Sequence, residues 1–234
     1  MIAIFKRDFR AFFTSPIGYV LVGGFLIVMG MYFTIFNLMP AYSELSSMFN
    51  LISFILIFMA PILTMRLFSE EYKMKTDQLL LTSPVSVGGI VLGKFFAALC
   101  IFAVCLSGTL LYVVVVFVYG SPDVAGIVGN YIAILFSAGS FISIGLFISS
   151  LTENQIVSVF SSIGTFLAIN ILGAQAQSTT HTWLRDLINF FSMFTRYSDF
   201  SLGLFSLDNI VYYLSLTAVF LFLTARVLEK KRWS

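Results

Sequence analysis

Charge is scarce in this chain of 234 residues: 13 Lys and Arg and 11 Asp and Glu amount to 10% charged residues against 59% hydrophobic ones, and there is one His. Soluble proteins carry about 25% charged residues, and a mean hydropathy of +0.99 describes a surface that water could not solvate. The single histidine, His181, rules out both a serine paired with histidine and an H-E-x-x-H zinc site. Neither a G-x-S-x-G turn nor a G-x-x-x-x-G-K-[ST] loop occurs, so no nucleophile elbow is present and the chain cannot hold ATP in a P-loop. No aspartate stands in the middle of an apolar stretch, which removes paired intramembrane carboxylates and the acids of a proton relay. The two cysteines, Cys100 and Cys105, lie five positions apart in one apolar segment. On a helix they point about 140° apart, as packing residues and not as a disulfide or metal pair. A net charge of +2 is too small to suggest a nucleic-acid partner. These absences read as a chain that is not an enzyme, has no catalytic or metal site and carries no cofactor, so any work it does draws its energy from another subunit.

What fills the chain is apolar. A bilayer core about 30 Å thick needs about 20 apolar residues in a helix, and six stretches provide them, at roughly 17–38, 45–67, 92–119, 126–151, 154–173 and 209–228. Hydrocarbon leaves helices or closed barrels as the ways to satisfy the backbone, and the alternating strands of a barrel are missing. The expected fold is an all-α membrane protein of six spans, with one transmembrane domain over residues 1–234 and no room for a separate soluble domain. Basic residues stay on the cytoplasmic side. Lys6, Arg7, Arg10, Arg66, Lys73, Lys75, Lys94, Arg226, Lys230, Lys231 and Arg232 fall on one side, and only Arg185 and Arg196 on the other. This places both termini in the cytoplasm of a cell membrane, with the first apolar stretch kept as an anchor and not cleaved.

Four regions are more than simple spans. Residues 1–13 read as an amphipathic helix in the membrane surface, with Ile2, Phe5, Phe9, Phe12 and Phe13 on one arc and Lys6, Arg7 and Arg10 off it. Two roles suit it equally, an anchor on anionic lipid or a contact with a partner. Pro16 and Gly18 then allow a turn into the first span. The second connection, SEEYKMKTDQLLLTSPVSVGGIVLGKF from Ser69, joins mixed charges to the apolar Leu79, Leu80 and Leu81, as a docking element would. Glu71 and Lys75 stand at helical pairing distance within it. The connection at 174–208, on the outer side, contains a short amphipathic pattern from Trp183 to Phe191 and a second candidate near 200–207, which either cap a pathway or rest on the interface. Spans four and five are rich in small and hydroxyl residues, including Ser140, Ser143, Ser161 and Thr165, with the lone amide Asn170 nearby. Such residues let helices approach closely, and they are candidates for a pathway or a dimer interface.

The segment FFTSPIGY that closes the N-terminal helix, the second connection just quoted and GLFISSLTENQIVS from Gly145 resemble ABC-2 type permeases. Within that family the chain is similar to the short six-span permeases of gliding-motility-like transport systems, along nearly its whole length. Lys75 and Thr76 stand where the family often has Gly-Thr. The resemblance implies a type V exporter-like fold of bacterial origin that works as a dimer with a second copy or a paralogue. It also implies a separate cytoplasmic P-loop subunit that binds ATP and Mg. In that reading the loop at 68–90 is a coupling element and Glu70, Glu71, Lys73, Lys75, Thr76 and Asp77 make the contact with the ATPase. Lys6, Arg7, Arg10, Glu153 and Asn154 lie near it. Membrane lipid is the remaining partner. An ion-coupled carrier and a non-transporting membrane scaffold are the alternatives from other classes, the first opposed by the absence of midspan acids.

Overall fold

The computed structural model describes residues 1–76, 85–120, 122–176, 197 and 207–233. Among them the regular structure is helical: α1 (Ile2–Thr14), α2 (Pro16–Phe33), α3 (Ser46–Met65), α4 (Ser69–Lys73), α5 (Val87–Gly108), α6 (Leu110–Tyr119), α7 (Val124–Leu151), α8 (Gln155–Ala176) and α9 (Leu207–Trp233), with a π-helical turn at Thr34–Leu38 closing α2. Among the described residues six helical stretches are long and apolar enough to cross a membrane: Pro16–Leu38, Ser46–Lys73, Val87–Tyr119, Val124–Leu151, Gln155–Ala174 and Asp208–Arg232. The third begins near Val87, so Lys94 lies within a helix and not in the preceding loop. The short helices anticipated at 174–208 fall mostly outside the described residues.

The start of the chain forms the expected helix, with Ile2 of the anticipated arc exposed and Ile4 buried in its stead. Ile4 and Phe12 are buried, the rings of Phe5, Phe9 and Phe13 follow one another at 5.9 and 5.1 Å, and Lys6 and Arg10 stay exposed. Ser15 is extended and its Oγ accepts a hydrogen bond from the Ile17 amide, while Pro16 occupies the first turn of α2, where its missing N–H costs nothing. A Cβ at Gly18 would stand 2.3 Å from the Phe12 carbonyl oxygen, so the elbow between α1 and α2 closes only around glycine.

The core gathers around α7. In its most apolar stretch 72% of residues are buried, against 17% for α2 and 22% for α8. Its most extensive contacts are with α9 and α3, and those with α5 and α8 are smaller. The small residues of α7 therefore serve more than the pairing with α8 that their spacing suggests. Ser140 Oγ donates to the Tyr213 carbonyl of α9 at 3.0 Å and lies 3.2 Å from Thr217 Oγ1. A side chain at Gly145 would meet Thr64 of α3 at 2.5 Å. Bare backbone at that point lets the two helices touch, as small residues do in membrane packing.

Candidate functional site

Charged side chains of α1, α4 and α5 meet at one end of the bundle. α3 ends at Arg66, the chain turns through Leu67 and Phe68, and α4 follows for little more than a turn before Lys75, with φ of 56°, stops it. That left-handed residue turns the chain away, so Lys75 is exposed and the anticipated Glu71–Lys75 pair does not form. Glu71 points inward and meets Arg7 of α1 at 2.5 Å and Lys94 of α5 at 2.7 Å.

Lys94 is the centre of this junction. It has 0% exposure, and its Nζ donates to the Leu67 carbonyl at 2.5 Å, lies 3.4 Å from Asp8 Oδ2 and sits 5.0 Å from the centre of the Phe68 ring. Arg7 bridges Asp8 and Glu71. Burial works against the Arg7 charge, but the two carboxylates outweigh it and hold the guanidinium above its ordinary pKa. A buried ion pair stripped of one partner costs roughly 3–5 kcal/mol, because the other charge remains without compensation. Arg66 adds a bond to Glu70 at 2.8 Å and another to Ser15 Oγ at the α1–α2 elbow, also 2.8 Å.

The opposite side of α4 meets α7 and α9 through hydroxyls and a cation on an aromatic ring. Ser69 shares two hydrogen bonds and a hydroxyl pair with Ser149 of α7, at 3.0 to 3.1 Å. Tyr72 stacks on Phe68 at 6.1 Å, and Lys231 of α9 lies 3.6 Å from the Tyr72 ring while donating to the Ser150 carbonyl. The Phe68–Tyr72 pair is thus flanked by one lysine from α5 and one from α9. Hydroxyl hydrogen bonds between membrane helices are worth about 0.6 kcal/mol on average, and a cation on an aromatic face about 0.5 to 2 kcal/mol. Both are weaker than the ionic side. A cavity of about 290 Å³ opens between α1 and α4, with Phe12, Leu63, Leu67 and Ile101 among its apolar walls and Arg66 and Glu70 among its charged ones.

The anticipated site residues divide by place. Lys6, Arg10, Lys73, Lys75 and Thr76 are exposed at the basic end, where a partner could reach them. Glu70, Glu71 and Arg7 are engaged in ion pairs within the chain, Arg7 at the surface and Glu71 facing inward, and Asp77 lies outside the described residues. Glu153 and Asn154 are exposed in the turn between α7 and α8, and Asn154 Oδ1 caps α8 through the Ile156 amide. Ser140 and Ser143 are buried within the bundle. Ser161 is exposed on α8, while Thr165 and Asn170 are half-buried. Asp8, Ser15, Lys94, Ser149 and Lys231 escaped the sequence reading as functional partners. For Lys94 the signal was there: a lone charge several residues inside an apolar helix demands a counter-charge. Among the described residues no group of three or more His, Cys, Asp or Glu could hold a metal ion.

In this arrangement one short helix at the end of the second apolar stretch is fastened to α1, α5, α7 and α9. A family model described as ABC-2 family transporter protein matches residues 2–233. The chain belongs to the ABC-2 family. None of the curated proteins compared with it matches. It is accordingly a multi-pass membrane protein and the permease component of an ABC transporter, a class that associates with an ATP-binding subunit and is not itself catalytic. Among the described residues, the ABC-2 permease groups ion pairs between α1, α4 and α5 at the end that carries Arg66, Lys94 and Lys231.

Proposed function

We propose that this permease is the membrane half of an ATP-driven exporter in a bacterial cell membrane, with both termini cytoplasmic and the whole chain forming one transmembrane domain. Two permeases, identical or paralogous, pair in the membrane, and each seats a separate P-loop subunit that binds ATP and Mg. The segment 68–90 receives the ATPase. Lys73, Lys75, Thr76 and Asp77 make the contact, Lys6, Arg10, Glu153 and Asn154 lie at its margin, and Glu70 and Glu71 hold the segment in place from within. Closure of the ATPase moves this segment as a rigid body and rearranges the spans. Ser161, Thr165 and Asn170 of α8 belong to the pairing surface or the pathway, and Ser140 and Ser143 line the bundle interior behind them.

The observation that carries this reading is the wiring of α4, which is ion-paired to α1 and α5, hydrogen-bonded to α7 and covered by a lysine of α9 over its tyrosine ring, yet presents Lys73 outward. An element so connected transmits force applied to its outer face. Affinity purification of the tagged chain from its native membrane is expected to recover a P-loop ATPase. The double reversal Lys73→Glu and Lys75→Glu reduces that recovery at least tenfold, while Arg226→Ala leaves it unchanged. Equal recovery from the reversed chain contradicts the docking segment.

A further inference from the structure

The two sides of α4 differ in what it takes to separate them. Toward α1 and α5 the contact consists of buried charges: Lys94 with Glu71, Asp8 and the Leu67 carbonyl, closed by Arg7. Toward α7 and α9 it includes a serine pair and a lysine that lies over a tyrosine ring and donates to the Ser150 carbonyl. Hydroxyls exchange partners at little cost, whereas an ammonium with no exposed surface has no water to turn to if its carboxylates withdraw. Any displacement of α4 therefore finds its slip plane on the hydroxyl side.

From this we infer that Lys94 is a positioning residue that locks α1, α4 and the start of α5 into one lever, which moves against α7 and α9 when the transporter turns over. Met1 and Ile4 of α1 lie directly on Gly93, one residue before Lys94, so the lever is packed as well as ion-paired. The inference rests on the proposed partnership with an ATPase for the source of the movement, but the lock belongs to this chain alone.

Double electron–electron resonance tests it in the full-length permease in nanodiscs, with Cys100 and Cys105 replaced by alanine. One spin-label pair, Lys6→Cys with Gly88→Cys, lies within the lever. The other, Gly88→Cys with Lys230→Cys, crosses the slip plane. In the complex with its ATPase, trapping nucleotide with vanadate is expected to shift the second distance distribution and leave the first in place. Lys94→Met broadens the first pair, and Lys94→Arg restores it. Asp8→Asn, a milder change, produces a smaller broadening should the methionine variant fail to assemble. A first pair that shifts as far as the second, or that ignores both Lys94→Met and Asp8→Asn, overturns the lever. Should no ATPase bind, the partnership fails, and the nucleotide-free distribution of the Lys6–Gly88 pair in the Lys94 variants still decides the lock.

Discussion

Two polar regions of this permease hold helices together by different means. At the basic end, three elements meet around the fully buried Lys94, with carboxylates from α1 and α4. In the middle of the bundle α7 and α9 meet through Ser140, Thr217 and the Tyr213 carbonyl, all uncharged. Hydroxyls suit the bilayer interior because each can fall back on its own helix: Ser143 on the Ser140 carbonyl, Thr217 on that of Tyr213. Buried charges have no such retreat, so they fix geometry more firmly and fail more expensively. The firm joint stands where the proposed ATPase pushes, and the forgiving joints stand where the spans adjust.

Breaking the comparison begins at its strongest point. Lys94→Met leaves Asp8 and Glu71 facing each other without the ammonium, and the thermal unfolding of the detergent-solubilised permease is expected to show a loss of about 3–5 kcal/mol. Lys94→Arg retains most of it. Next comes packing: Gly145→Val drives a branched side chain into Thr64 and costs about 1–3 kcal/mol. At Gly164, where an added Cβ meets nothing, substitution by alanine stays within about 0.5 kcal/mol of wild type or is slightly stabilising. Ser140→Ala removes the α7–α9 hydroxyl contact, for a loss of about 0.6 kcal/mol and no more than about 1.7. The smallest effect belongs to Arg226→Ala, since its pair with Glu229 is exposed on both sides; less than about 0.5 kcal/mol is expected. A Ser140 variant as damaging as the Lys94 variant erases the distinction between the two regions.

The spans were legible because hydrocarbon imposes length and composition together, and no tertiary contact is needed to read either. The elbow at Pro16 and Gly18 was legible for a similar reason: each residue states a local backbone requirement. The junction was not. Spacing along one helix pairs Glu71 with Lys75, but Lys75 adopts the left-handed conformation that ends α4, and Glu71 finds Arg7, 64 residues away in sequence. Lys94, counted with the loop cations because it stands near the end of an apolar run, is instead the most deeply buried charge described. Charges near a span boundary look alike in one dimension, and only the packing of α1 over α5 separates the solvated ones from the enclosed one.

A double-mutant cycle on Lys94→Met and Glu71→Gln, set beside one on Ser140→Ala and Thr217→Val, measures the contrast with least interpretation. Unfolding free energies of the four single and two double variants are expected to give a coupling above about 1.5 kcal/mol for the ionic pair. The hydroxyl pair is expected to give about 0.6 kcal/mol or less. Equal couplings, or a larger one for the serine and threonine, would contradict the view that this permease is locked at its basic end and yielding in its middle.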